Sequence, residues 1–146
     1  MEEFEEVAIL LVEDNALDAE LTIRSFQNQK LANSVIWVKD GEQALDYVFR
    51  RGVYAQRLAR DPRLILLDLK MPRVGGIEVT RAIKGDERTK HIPIVIMTSS
   101  NEESDIAESY KLGANSYIVK PLDFDSLAEV ARQAGYYWLA VNRARV

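Results

Sequence analysis

Short, almost unbroken apolar runs alternate along this chain with longer stretches of helical periodicity, and this alternation restricts the possible folds more than any other feature. A run that is apolar at every position, rather than at every second one, is typical of a strand that is covered on both faces. Pro93 falls near the start of the fourth run, where a proline is tolerated. Five runs are predicted to be strands, at residues 7–12, 35–38, 64–67, 92–97 and 117–119.

The stretches between the strands carry apolar residues at helical spacing. After Asn15, the residues Ala19, Ile23 and Phe26 fall at i, i+4 and i+7 and can bury one stripe of a helix. Further helices are predicted at residues 41–50, at 76–84, at 102–112 with Gly113 as its C-cap, and from about residue 123 past Trp138. Five strand-then-helix units predict an α/β fold in which helices cover both faces of a doubly wound, five-stranded parallel sheet.

Charged and polar residues follow the predicted strands at the point where each strand ends. In an open parallel sheet the carboxyl ends of the strands meet at one edge, and the functional crevice lies there, at the switch point of the strand order. The residues at the strand ends should therefore lie close together. The candidate site residues are Glu13, Asp14, Asp68, Lys70, Thr98 and Lys120.

The three carboxylates among these residues predict a metal site. Clustered carboxylates raise one another's pKa unless a cation neutralises them. Because the set offers oxygen ligands and neither His nor Cys, it favours Mg²⁺ over zinc. Asp14 and Asp68 could bind the ion directly and Glu13 through water, and a backbone carbonyl near Lys70 could add a further ligand.

Asp68 is the candidate nucleophile. A carboxylate with one oxygen on a metal keeps a second oxygen that can attack phosphorus. Lys120 would pair with Asp68 at rest and with a phosphoryl oxygen afterwards, and Thr98 would donate its hydroxyl to another phosphoryl oxygen. Such donors stabilise the charge that spreads over a transferring phosphoryl group. The alternative for individual residues is helix capping, by residues 14–15 at the first helix and by residues 98–99 at the fourth.

The charge balance and the residue types exclude several other classes of protein. The formal net charge of −4 argues against a nucleic-acid binder, which needs a basic face. The absence of cysteine excludes disulfides and thiolate metal sites. The first residues are acidic where a signal peptide would be basic, and no apolar run approaches the roughly 20 residues of a membrane span. We therefore expect a cytoplasmic protein that binds neither nucleic acid nor membrane.

The motifs around the strand ends resemble those of bacterial two-component response-regulator receiver domains. The motifs are LLVEDN at 10–15, VKDGEQAL at 38–45, LILLDLKMP at 64–72, PIVIMTSS at 93–100 and GANSYIVKP at 113–121. The resemblance covers essentially the whole chain, so residues 1–146 are expected to form one receiver domain, with a core of about residues 6–140 and a short C-terminal tail. It implies the flavodoxin-like receiver fold, with strand order 2-1-3-4-5.

The resemblance also implies the chemistry of the site. Glu13, Asp14 and Asp68 would hold Mg²⁺ together with the Lys70 carbonyl, and Mn²⁺ or Ca²⁺ could substitute. Asp68 would accept a phosphoryl group from a phosphohistidine of a sensor histidine kinase. A protein of this kind is not an enzyme acting on other substrates, since it catalyses only its own phosphorylation and dephosphorylation.

The remaining site residues would detect the phosphoryl group by contacting its oxygens and changing position. Lys120 and Thr98 would contact it as donors, which places them beside the nucleophile Asp68 among the catalytic residues. Tyr117 resembles the family's switch aromatic, which rotates inward and changes the surface made by the fourth helix, the fifth strand and the fifth helix. By the same resemblance, the Lys120–Pro121 peptide bond is expected to be cis.

Two positions depart from the family pattern. In the turn Arg73-Val74-Gly75-Gly76 the family usually has an acidic or amide residue before the second glycine, and the change should alter the rigidity of the loop more than its chemistry. Ser99 stands where the family usually has Ala or Gly. Its larger side chain is expected to shield the acyl phosphate or add a hydrogen bond, with a modest effect on dephosphorylation.

Two regions exceed a minimal receiver domain. The basic segment, residues 50–63, is expected to be a solvated loop, with a contact surface for a partner kinase as the main alternative. A nucleic-acid patch is disfavoured by the acidic net charge and the absence of a reading motif. On the last helix, Tyr136, Tyr137 and Leu139 lie off the core-facing stripe, which favours a homodimer through this helix and the tail. A tail folded back on its own domain is the alternative.

The basic segment, the KPLDFDSL run and the GYYWLAVN tail together resemble the small stand-alone regulators that partner phytochrome-type histidine kinases. An output domain does not fit after about residue 140, so the phosphorylated protein is expected to signal through another, unknown protein. The main alternative is a non-catalytic pseudo-receiver that acts as a scaffold. A dehalogenase-type phosphatase would need an acid where Lys70 stands, and a flavodoxin-like electron carrier would be hindered by Glu13 and Asp14 at its phosphate loop.

Overall fold

The computed structural model describes residues 8–29, 34–57, 61–71, 73–120 and 129. The strands are β1 (Ala8–Val12), β2 (Ser34–Val38), β3 (Leu64–Leu67), β4 (Ile94–Thr98) and β5 (Ser116–Val119). The helices are α1 (Ala16–Gln29), α2 (Gly41–Phe49), α3 (Gly76–Lys84) and α4 (Glu103–Leu112). The predicted fifth helix apart from residue 129, the tail and the predicted cis bond at Pro121 lie outside the described residues. Within the described ranges, no helix has the length and apolar character that a membrane crossing requires.

The five strands of the described residues form one parallel sheet in the order β2-β1-β3-β4-β5, which confirms the predicted fold. β1 is an interior strand, and its Leu10 lies opposite Ile36 of β2 and Ile65 of β3. The chain moves outward in one direction from β1 to β2 and in the other direction from β3 to β5. The switch point of the sheet therefore lies between the carboxyl ends of β1 and β3.

The two faces of the sheet are buried under different helices, because alternate residues of a strand point to opposite faces. One face packs against α2 and α3 and contains Leu10, Val12, Ile65, Leu67, Ile94, Ile96, Val48, Val79 and Ile83. The other packs against α1 and contains Ile9, Leu11, Leu64, Leu66, Val95, Met97, Ala19 and Phe26. Each fully buried side chain of this size contributes about 1.5–3 kcal/mol to folding. Burial on both faces explains why the central runs are apolar at every position.

The structure differs from the expected strands in two ways. β4 begins at Ile94 rather than at residue 92, because Pro93 has no N–H to pair, although its carbonyl accepts from the Ile65 amide at 2.9 Å. The outer strands β2 and β5 are mostly half-buried rather than covered on both faces. A short apolar run does not distinguish an edge strand from a central one, so full burial is a wrong prediction for these two strands.

The helix ends show which residues serve as caps. Asn15 Oδ1 accepts from the Asp18 amide at 2.9 Å and caps α1, as the capping alternative predicted. The N-cap of α4 is Glu102, so capping of this helix by residues 98–99 is wrong. Gly113 ends α4 with φ 113°, a left-handed conformation that glycine adopts without strain.

Residues 50–57 of the basic segment fold back onto α2. A 3₁₀ turn spans Gly52–Tyr54, and the Tyr54 ring meets the Tyr47 ring edge-on with 5.1 Å between centroids. The Arg57 guanidinium lies 4.2 Å from the centroid of the Tyr47 ring and donates to the Tyr47 carbonyl near the end of α2 at 3.0 Å. The Arg57 side chain is only 6% exposed. The expectation of a solvated loop is therefore wrong for this arginine, which packs on an aromatic ring and satisfies a helix-terminal carbonyl.

Candidate functional site

Glu13 and Asp68 lie side by side because the strands before them are paired in register. Val12, the last residue of β1, lies opposite Leu67, the last residue of β3, and the Asp68 amide donates to the Val12 carbonyl at 3.1 Å. Trp37 Nε1 donates to the Glu13 carbonyl at 2.7 Å and fixes the backbone after β1. Glu13 is 1% exposed and Asp68 is 6% exposed. The switch point thus holds two buried acids.

Asp14 joins these two residues in the carboxylate cluster, which we define as Glu13, Asp14 and Asp68. One carboxylate oxygen of each residue lies within 4.8 Å of the others. Asp14 is exposed, so the cluster is open to solvent on its side. Carboxylate oxygens at this separation can share one hard divalent cation.

The Lys120 ammonium reaches the carboxylate cluster from the end of β5. Its Nζ lies 2.8 Å from Glu13 Oε1 and 3.2 Å from Asp68 Oδ2. A further carboxylate, Asp18 in the first turn of α1, lies 2.9 Å from the same nitrogen. An ammonium has three N–H donors, so these three carboxylates can occupy all of them. The lysine side chain is 10% exposed, which makes these contacts its main environment.

Two pKa values at this site are displaced, that of Glu13 by burial and that of Lys120 by its carboxylate partners. Burial raises the pKa of Glu13 to about 7, although Lys120 and the Asn15 amide act in the opposite direction. Burial lowers the pKa of Lys120, but its hydrogen bonds to Glu13 and Asp18 and the charge of Asp68 outweigh burial, so this pKa is raised above its usual value. The ammonium is strongly stabilised, but its single positive charge is shared among three carboxylates and neutralises each of them only in part. A second cation would complete the neutralisation.

The donor set therefore fits a hard divalent ion, with Glu13, Asp14 and Asp68 as the residues that would hold it. Lys70, the other predicted ligand, donates its amide to Asp68 Oδ1 at 3.2 Å. Its side chain turns to α4, where Nζ lies 3.4 Å from Asp105 Oδ2, which leaves its carbonyl as the group available for the predicted role. A bound divalent ion would neutralise the carboxylates and polarise a phosphoryl oxygen.

Thr98, the predicted hydroxyl donor, ends β4 and is completely buried. Its carbonyl accepts from the Lys120 amide at 2.7 Å, so the last residues of β4 and β5 are joined through the backbone. Its hydroxyl oxygen accepts from the Ser100 amide at 3.4 Å. The sheet therefore brings Thr98 to the same edge as Asp68 and Lys120, as predicted from the strand ends.

A hydrogen-bonded network connects this edge to Tyr117, the predicted switch aromatic. Ser100 Oγ donates to Asp105 Oδ2 at 2.6 Å, and the Ser100 carbonyl accepts from the Tyr117 hydroxyl at 2.9 Å. The bond from Ser100 lowers the pKa of Asp105, and burial raises the pKa of Tyr117. Through the ion pair of Lys70 with Asp105, the loop after β3 is linked to α4 and to β5.

Sequence reasoning missed Asp18 and Asp105. Both lie in the first turn of a helix, where an acidic residue is ordinarily explained by the positive end of the helix dipole. A sequence signal exists for Asp18, since it follows the Asn15 cap by three residues and so lies in the first turn of the helix that leaves the site. Its pairing with Lys120 could be seen only once α1 and β5 had been placed side by side.

The loop after Asp68 is shaped by Gly76 and by Arg73. A Cβ on Gly76 would lie inside contact distance of the Asp68 carbonyl oxygen and 2.7 Å from Leu69 Cα, so α3 can begin this close to the site only with glycine. Arg73 takes a positive φ of 69°, and its guanidinium lies 3.1 Å from Glu42 Oε1 at the start of α2. This ion pair joins two exposed side chains, so it links the loop to α2 only weakly.

Two further polar positions near β4 are exposed. Ser99 lies beside Thr98 at the end of β4 with its side chain open to solvent. His91, the single histidine of the sequence, is exposed before β4.

Comparison with known proteins agrees with this geometry. The family model described as response regulator receiver domain matches residues 9–132. The probable methanogenesis regulatory protein FilR2 of Methanothrix harundinacea is 40% identical over 93% of this chain and 86% of its own length. The response regulator Rcp1 of Synechocystis is 34% identical over 90% of this chain and 88% of its own length.

Solved structures give the same result. The phosphorylated cyanobacterial phytochrome response regulator RcpA superimposes with a TM-score of 0.81 at 37% identity, covering 94% of this chain and 96% of its own. The bacteriophytochrome response regulator AtBRR gives 0.77 at 45% identity, with 92% and 95% covered. The Mn²⁺-bound form of Rcp1 gives 0.79 at 33% identity, with 90% and 94% covered.

Proposed function

This chain belongs to the response regulator receiver family, and from that premise we propose that it accepts a phosphoryl group on Asp68 in a Mg²⁺-dependent reaction. The observation that carries the proposal is the position of the buried Asp68 carboxylate. It lies in a cluster of three carboxylates and within 3.2 Å of the Lys120 ammonium. An acid in this setting has a cation partner for its own charge and for the charge of an incoming phosphoryl group.

The two oxygens of Asp68 have different surroundings, which suggests a different role for each in the reaction. Oδ1 accepts from the Lys70 amide, and this bond fixes the carboxylate plane. Oδ2, which faces Lys120, would attack the phosphorus of a phosphohistidine, so that the new O–P bond forms as the N–P bond breaks. The histidine leaves with a proton from solvent. Lys120 and the Thr98 hydroxyl would then donate to phosphoryl oxygens.

An intact-mass measurement tests this proposal directly. After incubation with acetyl phosphate and Mg²⁺, we expect the protein to gain the mass of one phosphoryl group. The gain should vanish in Asp68→Asn and when the divalent ion is chelated. Asp46→Asn, which removes a carboxylate from the outer part of α2, is the matched control and should be phosphorylated normally. A wild-type protein without the adduct, or an adduct that persists in Asp68→Asn, would refute the proposal, and the first result would favour a pseudo-receiver scaffold.

Receiver domains are phosphorylated by sensor histidine kinases, and we propose a phytochrome-type kinase as the partner of this chain. The similarity to RcpA, Rcp1 and AtBRR supports this choice. FilR2, which is described as a regulator of methanogenesis, is a relative of similar identity and represents the alternative. Phosphotransfer from a purified, phosphorylated bacteriophytochrome kinase should be much faster than from an unrelated sensor kinase. Equal rates would leave the phytochrome assignment without support.

We also propose that phosphorylation alters a protein contact, through a homodimer formed by the last helix and tail or through an unknown downstream protein. The aromatic residues that favour the dimer, Tyr136 and Tyr137, lie outside the described residues. The described part of the proposed output surface is formed by α4 and β5, which the Ser100 network joins to the site. Tyr110 on α4 is 49% exposed, as an aromatic contact residue would have to be.

A further inference from the structure

The three ion pairs of Lys120 fall into two kinds. Glu13 and Asp68 are members of the carboxylate cluster, so a divalent ion that binds there draws on the same oxygens that the ammonium uses. Asp18 is not a member of that cluster, yet it lies as close to Nζ, at 2.9 Å, as Glu13 does at 2.8 Å. Asp18 is therefore the partner of Lys120 that a bound metal would leave in place.

We propose that Asp18 is a positioning residue, which holds the Lys120 ammonium at the edge of the pocket while a divalent ion occupies the carboxylate cluster. The proposal rests on the proposed Mg²⁺-dependent function. It gives α1 a role in the reaction, although Asp18 lies outside the strand-end motifs that contain the other site residues. Without the ion, Lys120 has three carboxylate partners. With the ion bound it would keep Asp18 as its main partner, and after phosphoryl transfer it would also contact a phosphoryl oxygen.

The need for such a residue follows from charge. A divalent ion and an ammonium a few ångströms apart repel each other, and the repulsion is strong in a pocket with little water. Glu13 and Asp68 cannot fully neutralise both cations, because a carboxylate oxygen bound to the metal is a weaker acceptor for an N–H donor. An additional carboxylate beyond the metal's reach compensates for the repulsion and keeps the ammonium from turning out into solvent.

The local structure keeps Asp18 in this position. Its amide donates to the Asn15 side chain at 2.9 Å, and its carbonyl accepts from Thr22 Oγ1 at 2.8 Å. Both bonds use the backbone, so the Asp18 side chain is left to point at Lys120. The side chain is 28% exposed, whereas Glu20 in the next part of α1 is 56% exposed and pairs with Arg24.

A purely structural role for Asp18 predicts something different. An acidic residue in the first turn stabilises a helix through the helix dipole, whether or not a metal is bound. That role would change the stability of the protein but not the environment of Lys120. The accessibility of the Lys120 ammonium with and without Mg²⁺ therefore separates the two explanations.

The test is amine labelling of the full-length protein. Lys120 is acylated with a water-soluble active ester, its rate is measured by peptide mass spectrometry, and exposed Lys90 serves as the internal standard. In the wild type, Lys120 should react slowly both without and with Mg²⁺. In Asp18→Asn it should stay slow without the metal, because Glu13 and Asp68 still hold it, and become faster by roughly tenfold when Mg²⁺ is added.

Two controls make the outcome decisive. Glu20→Gln removes the same charge from α1 without touching Lys120 and should behave as the wild type. Asp18→Ser also removes the carboxylate and should reproduce the result for Asp18→Asn, so a folding defect in one variant cannot account for both. Labelling of Asp18→Asn that is as slow as in the wild type with Mg²⁺, or equally fast with and without it, overturns the inference.

Metal saturation is measured separately from labelling. Trp37, which is bonded to the Glu13 carbonyl, should report Mg²⁺ binding by fluorescence once Trp138, the other tryptophan, is replaced by Phe. A wild-type protein that shows no saturable change with Mg²⁺ would point to failure of the proposed function. Saturation in both proteins with unchanged Lys120 labelling would instead reject only the role of Asp18.

Discussion

Glu13 is buried beside Asp68, and burial outweighs its contact with the shared Lys120 ammonium, so it holds a proton up to unusually high pH. Burial raises its pKa to about 7, and the neutral acid is a poor ligand for a cation. Lowering the pH through this value should therefore weaken Mg²⁺ binding. We expect the apparent Kd, followed by Trp37 fluorescence, to be about tenfold higher at pH 6 than at pH 8.

The control for this pH dependence is Glu13→Gln, which has no proton to exchange at this position. Its Mg²⁺ affinity should be lower than that of the wild type but nearly constant between pH 6 and pH 8. A wild-type affinity that is equally constant would mean that Glu13 is already ionised at pH 6.

Ser99 provides a second test at the scale of a single residue. It is exposed next to Thr98, where its hydroxyl can shield an acyl phosphate or bond to it. Ser99→Ala should therefore change the lifetime of the phosphorylated protein by about twofold to threefold, a small change in activation free energy. Ser104→Ala, at an exposed position in α4, is the control. Equal lifetimes for wild type and Ser99→Ala would contradict this role.

The candidate residues could be predicted because they follow strands. Glu13, Asp68 and Lys120 each come directly after an apolar run, and parallel strands end at one edge, so their meeting needed no knowledge of helix packing. Asp18 and Asp105 could not be found in this way. Their contacts depend on how α1 and α4 are rotated against the sheet, which a sequence pattern does not specify.

At the scale of an element, the start of α3 is the most constrained feature next to the site. A methyl group on Gly76 would collide with the backbone of Asp68 and Leu69, so Gly76→Ala should lower the free energy of unfolding by about 2–3 kcal/mol. Urea denaturation measures this change. Gly75→Ala is the matched control, since its Cβ would meet only the Leu69 carbonyl at 3.3 Å and φ is −79°. Its effect should stay below about 1 kcal/mol.

The second prediction at this scale concerns the basic segment. Arg57 packs on the Tyr47 ring, bonds to the Tyr47 carbonyl and pairs with Asp61 at 3.4 Å. Arg57→Met should destabilise the protein by about 1–2 kcal/mol, because the helix-end carbonyl loses a charged donor. Arg51→Met, at a side chain that is 57% exposed, should cost less than about 0.5 kcal/mol. Similar losses from the two variants would show that Arg57 does not anchor the segment.

The elements themselves were predicted unevenly, for identifiable reasons. β3 and α3 begin and end where predicted, because an apolar run and an amphipathic stretch are bounded there by polar residues and glycines. β4 starts late because of the missing N–H of Pro93. The fold of the basic segment was missed because an arginine-rich stretch is ordinarily solvated, and only the packed position of Arg57 reveals the exception.

At the scale of the whole molecule, the proposed homodimer remains a prediction. If the last helix and tail form the interface, replacing both Tyr137 and Trp138 by alanine should convert the dimer into a monomer, because aromatic anchors carry much of the energy of such contacts. Sedimentation of the wild type and the double variant, each with and without phosphorylation, measures the change. A wild type that sediments as a monomer in both states would rule the dimer out.

Thr98 and Lys120, the two residues proposed to read the phosphoryl group, are joined by a backbone hydrogen bond of 2.7 Å between the ends of β4 and β5. A displacement of the backbone at one of them would therefore shift the other. The two contacts to the phosphoryl group would then form and break together, with the ends of β4 and β5 moving as one unit.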